Sequence, residues 1–111
     1  MKQNQKILPQ VSVIVPIYNG QEDLPDLINC IQEQTYPKDK VEYLLVNNNS
    51  QDDTSKILNQ ATLEAKKIGI NLQVLNENNI QSSYAARNQG IRQAKGEILA
   101  FTDADCRPLN N

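Results

Sequence analysis

The chain has no histidine, two cysteines, four glycines and a single phenylalanine. Without histidine there is no Ser-His or Cys-His nucleophile pair and no imidazole general base, so any chemistry must run on carboxylates, a metal ion and fixed dipoles. Of the cysteines, Cys30 lies in a predicted helix and Cys106 beside a pair of acids; their spacing fits neither a zinc site nor a redox pair, and both read as free thiols in a reducing compartment. The glycines build no phosphate-cradling loop. Neither G-x-G-x-x-G after the first strand nor G-x-x-x-x-G-K-[ST] anywhere is present, which argues against dinucleotide oxidoreductases and P-loop hydrolases. No apolar run approaches a membrane span, and Met1 to Gln10 holds no apolar segment of signal-peptide length. A cytoplasmic location is therefore expected, at the cytoplasmic face of the membrane if the chain is part of a longer protein. Lys and Arg are scattered through a chain of net charge -2, so a nucleic-acid polymer is not an expected partner, while a nucleotide remains open.

What is present fits one domain. A chain of 111 residues, 39% hydrophobic and 22% charged, has the size and balance of one soluble globular unit. Residues 1–10 form a polar leader, 11–108 the folded domain and 109–111 a tail. The β-branched run Val11-Ser12-Val13-Ile14-Val15-Pro16 reads as the first, internal strand, ended by Pro16, with Ile17 to Gly20 as a turn. Leu24, Leu27, Ile28 and Ile31 recur at the spacing of a helix lying on a sheet, and Pro25 is tolerated in its first turn. Val41 to Val46 is a second strand that runs into the turn Asn47-Asn48-Asn49-Ser50. A second helix carries Ile57, Leu58, Ala61, Ala65 and Ile68 and stops at Gly69; Leu72 to Leu75 is a third strand. Ser82 or Ser83 caps a third helix bearing Tyr84, Ala85, Ile91 and Ala94. Strands and helices thus alternate as β-α-β-α-β-α-β. The expected fold class is α/β, a doubly wound, Rossmann-like sheet of about four parallel strands with helices on both faces and a ligand at the carboxyl ends of the strands.

The last strand organises the chemistry. Ile98 to Phe101 is a short apolar run expected to be covered on both faces, and it delivers Asp103 and Asp105, two positions apart and projecting the same way, to its tip. Carboxylates roughly 6 Å apart repel by about 3 kcal/mol at an effective dielectric near 20. A divalent cation, Mg²⁺ or Mn²⁺, offsets that repulsion and would be held together with a diphosphate; the plain alternative is a solvated acidic loop. Arg87 in the third helix offers a planar fork for phosphate, or else forms a surface ion pair. Asn47 and Asn48 could read a base through their amides, or serve only as turn formers; Tyr18 could stack on a base or cap the sheet edge. A carboxylate phosphatase also uses D-x-D at a strand tip, normally on the first strand and not the fourth.

Four segments in order resemble the nucleotide-diphospho-sugar glycosyltransferases of the GT-A fold, specifically the inverting family 2. They are Val11 to Asn19, Val46 to Thr54, Ala86-Arg87-Asn88-Gln89-Gly90, and Gly96 to Asp105 with its D-x-D. The resemblance implies that residues 11–108 are the nucleotide-diphospho-sugar-binding half of that fold. It also implies a strand end at Pro16, Ile17 and Tyr18 packing beside the base, Arg87 holding the nucleotide, Asp103 touching the ribose or sugar, and Asp105 as metal ligand. Where the family usually carries an Asp that accepts from uracil, this chain reads Asn47-Asn48. An amide both accepts and donates, so a UDP-sugar is favoured without the base being decided. The family's catalytic base lies well after the D-x-D, so these residues are expected to bind donor and not to transfer sugar efficiently alone. A non-catalytic nucleotide-binding or interaction module is the alternative. The acceptor is unknown, and self-association through an exposed sheet edge or apolar face is expected.

Overall fold

A computed structural model of the chain describes residues 8–104. Four strands, β1 (Val11–Ile17), β2 (Val41–Asn47), β3 (Asn71–Asn76) and β4 (Ile98–Phe101), form one sheet in the order β3-β2-β1-β4, every pairing parallel. Helices α1 (Leu24–Gln32), α2 (Thr54–Lys67) and α3 (Ser83–Gln93) connect them.

The two faces of the sheet carry separate cores, as strand alternation requires. On one, Val15, Ile17, Tyr43 and Leu45 meet Leu24, Leu27 and Ile31 of α1 and Leu58 and Ala65 of α2. On the other, Ile14, Leu44 and Val46 meet Ala86 of α3. β2 is buried along its whole length, the burial expected of a strand between two neighbours and under helices on both faces. The doubly wound α/β fold and the internal first strand are thus as the sequence predicts.

Several local expectations are corrected. β1 does not end at Pro16 but runs to Ile17. Successive residues of a strand turn their N–H and C=O groups to opposite neighbours: the Ile17 carbonyl accepts from Asn48 of the β2 segment, whereas that of Ile14 accepts from Thr102 beyond β4. Pro16 shares the parity of Ile14 and faces the side where β4 has already ended, so its missing N–H costs no ladder bond. β4 is not covered on both faces; among the described residues it is an edge strand whose one sheet neighbour is β1, and Ile98, Leu99 and Phe101 are exposed. Its apolar composition follows from strand propensity, which the sequence alone does not distinguish from burial. In α3 the small residues Ala85, Ala86 and Gly90 face the sheet, and the larger Tyr84 and Ile91 point outward. A Cβ on Gly90 would stand 2.5 Å from Cγ2 of Ile14, so this helix lies too close to β1 for a large side chain. In the same way Ile68 closes α2 exposed, just before Gly69 turns the chain at φ 80°.

A buried polar network fixes where β4 begins. The Ser12 hydroxyl donates to Glu42 Oε2 (2.6 Å), the Lys95 amide donates to the same oxygen (2.7 Å), and the Gly96 amide donates to Ser12 Oγ (2.8 Å). Buried polar groups persist only when bonded, and these bonds pin the α3-to-β4 turn to the central strands. The network thereby sets the register that carries Asp103 to the end of the sheet.

Candidate functional site

At the carboxyl ends of β1, β2 and β4 lies a cleft of about 330 Å³. Pro16, Ile17 and Tyr18 form the β1 wall and Asn48 the β2 wall, with Asp103 and Ala104 beyond β4. Asp23 and Ser83 complete it. A larger hollow of about 400 Å³ under α1, lined by Val13, Val15, Leu27, Ile31 and Tyr43 among others, is almost wholly apolar and lacks convergent polar groups.

Two turns build the walls, and each needs a left-handed residue that asparagine supplies: Asn19 at φ 48° after β1 and Asn49 at φ 58° after β2. The turns are bonded to one another. The Asn19 amide donates to Ser50 Oγ (2.9 Å) while Gln51 N–H donates to Asn19 Oδ1 (2.7 Å). Gln21 N–H donates to Asp52 Oδ2 (3.2 Å), Asp53 N–H to Gln21 Oε1 (3.1 Å), and Gly20 N–H to Thr54 Oγ1 (2.9 Å). Asp52 also accepts from the Thr54 hydroxyl and amide at the start of α2. These hydrogen bonds, led by the Thr54 hydroxyl, hold the Asp52 carboxyl below its ordinary range.

Of the residues singled out from sequence, Pro16, Ile17, Tyr18, Asn48 and Asp103 share this cleft. Arg87 reaches it through Asp103, its guanidinium standing 3.6 Å from Oδ1. Both side chains are well exposed, at 39% and 62%, so the pair is loose and contributes little to stability. Tyr18, half exposed, stands at the rim. Asn47 does not line the cleft. It is buried and spends its amide in the turn, donating to Ser55 Oγ (2.9 Å) and accepting from Ser50 N–H (3.2 Å). Asp105 lies outside the described residues, as does Cys106.

Sequence reasoning missed Asp23 and Ser83 on the wall, and the loop of Glu77 to Gln81 behind Asn48. Ser83 opens α3, whose positive dipole end therefore stands at the cleft, and Ser82 caps that helix by accepting from Ala85 N–H (3.1 Å). Asp103 brings to the cleft a carboxylate, the hard oxygen donor that Mg²⁺ or Mn²⁺ takes. Among the described residues no three acidic, histidine or cysteine side chains cluster as a complete metal cage. A carboxylate at this strand end fits an ion that draws most of its ligands from a diphosphate and water.

Over residues 12–111 the sequence matches the family model described as Glycosyl transferase family 2. The chain belongs to that family. It is 50% identical over 101 residues to glycosyltransferase AglE of Haloferax volcanii, which covers 91% of this chain and 32% of AglE. To the poly(ribitol-phosphate) beta-N-acetylglucosaminyltransferase TarS of Staphylococcus aureus it is 35% identical over 95 residues, 85% of this chain and 16% of TarS. Among solved structures, the mannosyltransferase PcManGT of Pyrobaculum calidifontis, in complex with GDP-Man and Mn²⁺, superposes with a TM-score of 0.83 at 33% identity over 91% of this chain and 29% of that one. TarS 1-349 in complex with UDP-GlcNAc gives 0.73 at 34% identity, over 86% and 26% of the respective chains. This family 2 chain therefore spans about a third or less of the length of these relatives. Family membership also sets aside the phosphatase reading of the D-x-D. Among the described residues no helix is long and apolar enough to cross a membrane.

Proposed function

We propose that residues 11–108 are the donor-binding portion of a metal-dependent glycosyltransferase that moves a sugar from a nucleotide-diphosphate sugar to an acceptor hydroxyl with inversion. The observation that carries this reading is the cleft at the carboxyl ends of the strands, where Tyr18, Asn48 and Asp103 converge with Arg87 beside them. Pro16 and Ile17 pack beside the base and Tyr18 stacks on it. Asn48 meets the base edge, carried by the turn that Asn47 braces. Arg87 exchanges its loose pairing with Asp103 for the diphosphate oxygens, and Asp103 is left to accept from a ribose or sugar hydroxyl. Asp105, with oxygen donors of the diphosphate, would hold Mg²⁺ or Mn²⁺, which when bound supplies positive charge against the leaving diphosphate. In the transfer, the acceptor oxygen bonds to the anomeric carbon from the face opposite the diphosphate and the carbon–oxygen bond to the diphosphate breaks. The acceptor's proton passes to a base, a role we assign to no residue of 11–108.

The neighbours' complexes with GDP-Man and Mn²⁺ and with UDP-GlcNAc support a nucleotide-sugar donor for this chain too. Calorimetric titration with UDP and with GDP, with and without Mn²⁺, tests the proposal. Metal-dependent binding is expected, weakened at least about tenfold in Asp105→Ala and in Arg87→Ala, the loss typical of a charge-assisted contact. Absence of binding by both nucleotides would overturn it and leave the non-catalytic module as the reading.

A further inference from the structure

β4 is the strand that delivers Asp103 to the cleft, and packing does little to say where along β1 it should lie. Ile98 and Phe101 stand three positions apart, on opposite faces of the strand, and both are half exposed. A buried face normally fixes register, because a slip by one residue turns every side chain to the other side; a strand exposed on both faces lacks that penalty. The ladder bonds to β1 do not choose a register either, since backbone groups repeat along the strand and can pair again after a slip.

Side-chain bonds can choose, because they exist in one register alone. Toward the end of the sheet opposite the cleft they form a continuous chain across all four strands. Gln73 Nε2 of β3 donates to Glu42 Oε1 of β2 (3.4 Å), and the Ser12 hydroxyl of β1 donates to Glu42 Oε2 (2.6 Å). Just before β4, the amide of Lys95 donates to Glu42 Oε2 (2.7 Å) and that of Gly96 to Ser12 Oγ (2.8 Å). Glu42 and Ser12 are both buried, so these bonds are made away from competing water. Only glycine permits so close an approach: a Cβ on Gly96 would stand 2.7 Å from both the backbone nitrogen and Oγ of Ser12. From there the chain advances about 3.3 Å per residue toward Asp103. A slip by one residue would carry the Asp103 carboxylate that far and turn it to the opposite face, away from Arg87, to which it stands at 3.6 Å.

We infer that Glu42 and Ser12 are positioning residues of the donor site, which fix the register of β4 from the far end of the sheet and thereby hold Asp103 at the cleft beside Arg87. The inference rests on the donor-site reading above and adds residues that act on the site without touching the ligand. Glu42 carries the larger share, since its carboxylate is bonded to β1, to β3 and to the turn before β4.

The test is a double-mutant cycle between Glu42→Ala and Asp103→Ala in the 111-residue chain, read by titration with UDP and with GDP in the presence of Mn²⁺. Asp103→Ala is expected to weaken binding at least about tenfold. Glu42→Ala should weaken it too, and in that background Asp103→Ala should cost less than about twofold more, because the carboxylate it removes is already out of place. Glu42→Gln keeps an acceptor oxygen for Ser12 and Lys95 and should restore binding. Distant sites ordinarily act independently, so a full loss on Asp103→Ala in the Glu42→Ala background would show a merely structural role and overturn the inference. Unchanged affinity in either single variant would overturn it as well. Should Glu42→Ala not fold, Ser12→Ala takes its place in the cycle, with the same outcomes. Independent losses overturn the inference and leave the donor-site reading standing; binding of neither nucleotide by the wild-type chain overturns both.

Discussion

Single residues around the cleft divide by what their bonds leave over. Asn47 and Asn48 are adjacent and chemically identical, yet one spends its amide inside the turn, while the other donates to the carbonyls of Glu77 and Ile80 and lines the cleft. Strand alternation sends neighbouring side chains to opposite sides, and each finds different partners there. Asp52 is another such residue: the Thr54 hydroxyl, the largest cause, and backbone amides stabilise its charged form and hold its pKa below the ordinary 3.8. A lowered folded pKa contributes stability that is complete above the unfolded value and is lost as pH falls through the folded one. Stability should therefore drop on acidification below about pH 4, and Asp52→Asn should show a shallower acid limb in urea melts followed by circular dichroism between pH 2.5 and 6. An unchanged limb would mean that Asp52 is bonded equally well in the unfolded chain.

At the scale of elements, the helix spacing in α1 and the central half of α2 was legible, because large apolar residues at those positions have a core to enter. α3 was legible as a helix but not in its orientation. Its buried face is made of Ala85, Ala86 and Gly90, too small to stand out in a hydrophobic pattern, while Tyr84 and Ile91 imitate a stripe from the solvent side. Gly90 gives this a test. In an exposed helix Gly→Ala gains about 1 kcal/mol from propensity. Here the added methyl would meet Ile14 at 2.5 Å, and overpacking costs about 1–3 kcal/mol. Gly90→Ala is expected to lower the midpoint of chemical unfolding, whereas a raised midpoint would show that α3 can move off the sheet without loss.

At the scale of the molecule the exposed edge stands out. Ile98, Leu99 and Phe101 of β4 are 47%, 38% and 48% exposed, and among the described residues no strand pairs with its outer edge. Unpaired edges with apolar side chains are templates for pairing with another chain. Self-association through β4 is our expectation for these 111 residues in isolation. Sedimentation velocity over a concentration series should detect it, and Phe101→Lys should shift the distribution toward monomer. A wild-type chain monomeric at every concentration would remove this expectation.

The sequence by itself determined the alternation of strands and helices, the parallel sheet with β1 inside it, and the gathering of Tyr18, Asn48 and Asp103 at one edge. Each of these follows from local periodicity, chain length between strands and the handedness of crossovers, all of which a linear reading contains. Tertiary structure alone decided which of two adjacent asparagines lines the cleft and that its amide nitrogen is bonded to the 77–81 loop. It also decided that Glu42 and Ser12 pin the start of β4, that Asp23 and Ser83 join the site, and that an apolar strand lies at the edge. Those outcomes depend on partners 29 to 84 positions away, as in the Asn48–Glu77 and Gly96–Ser12 bonds, and hydrogen-bond direction between such distant groups is set only once the sheet has assembled.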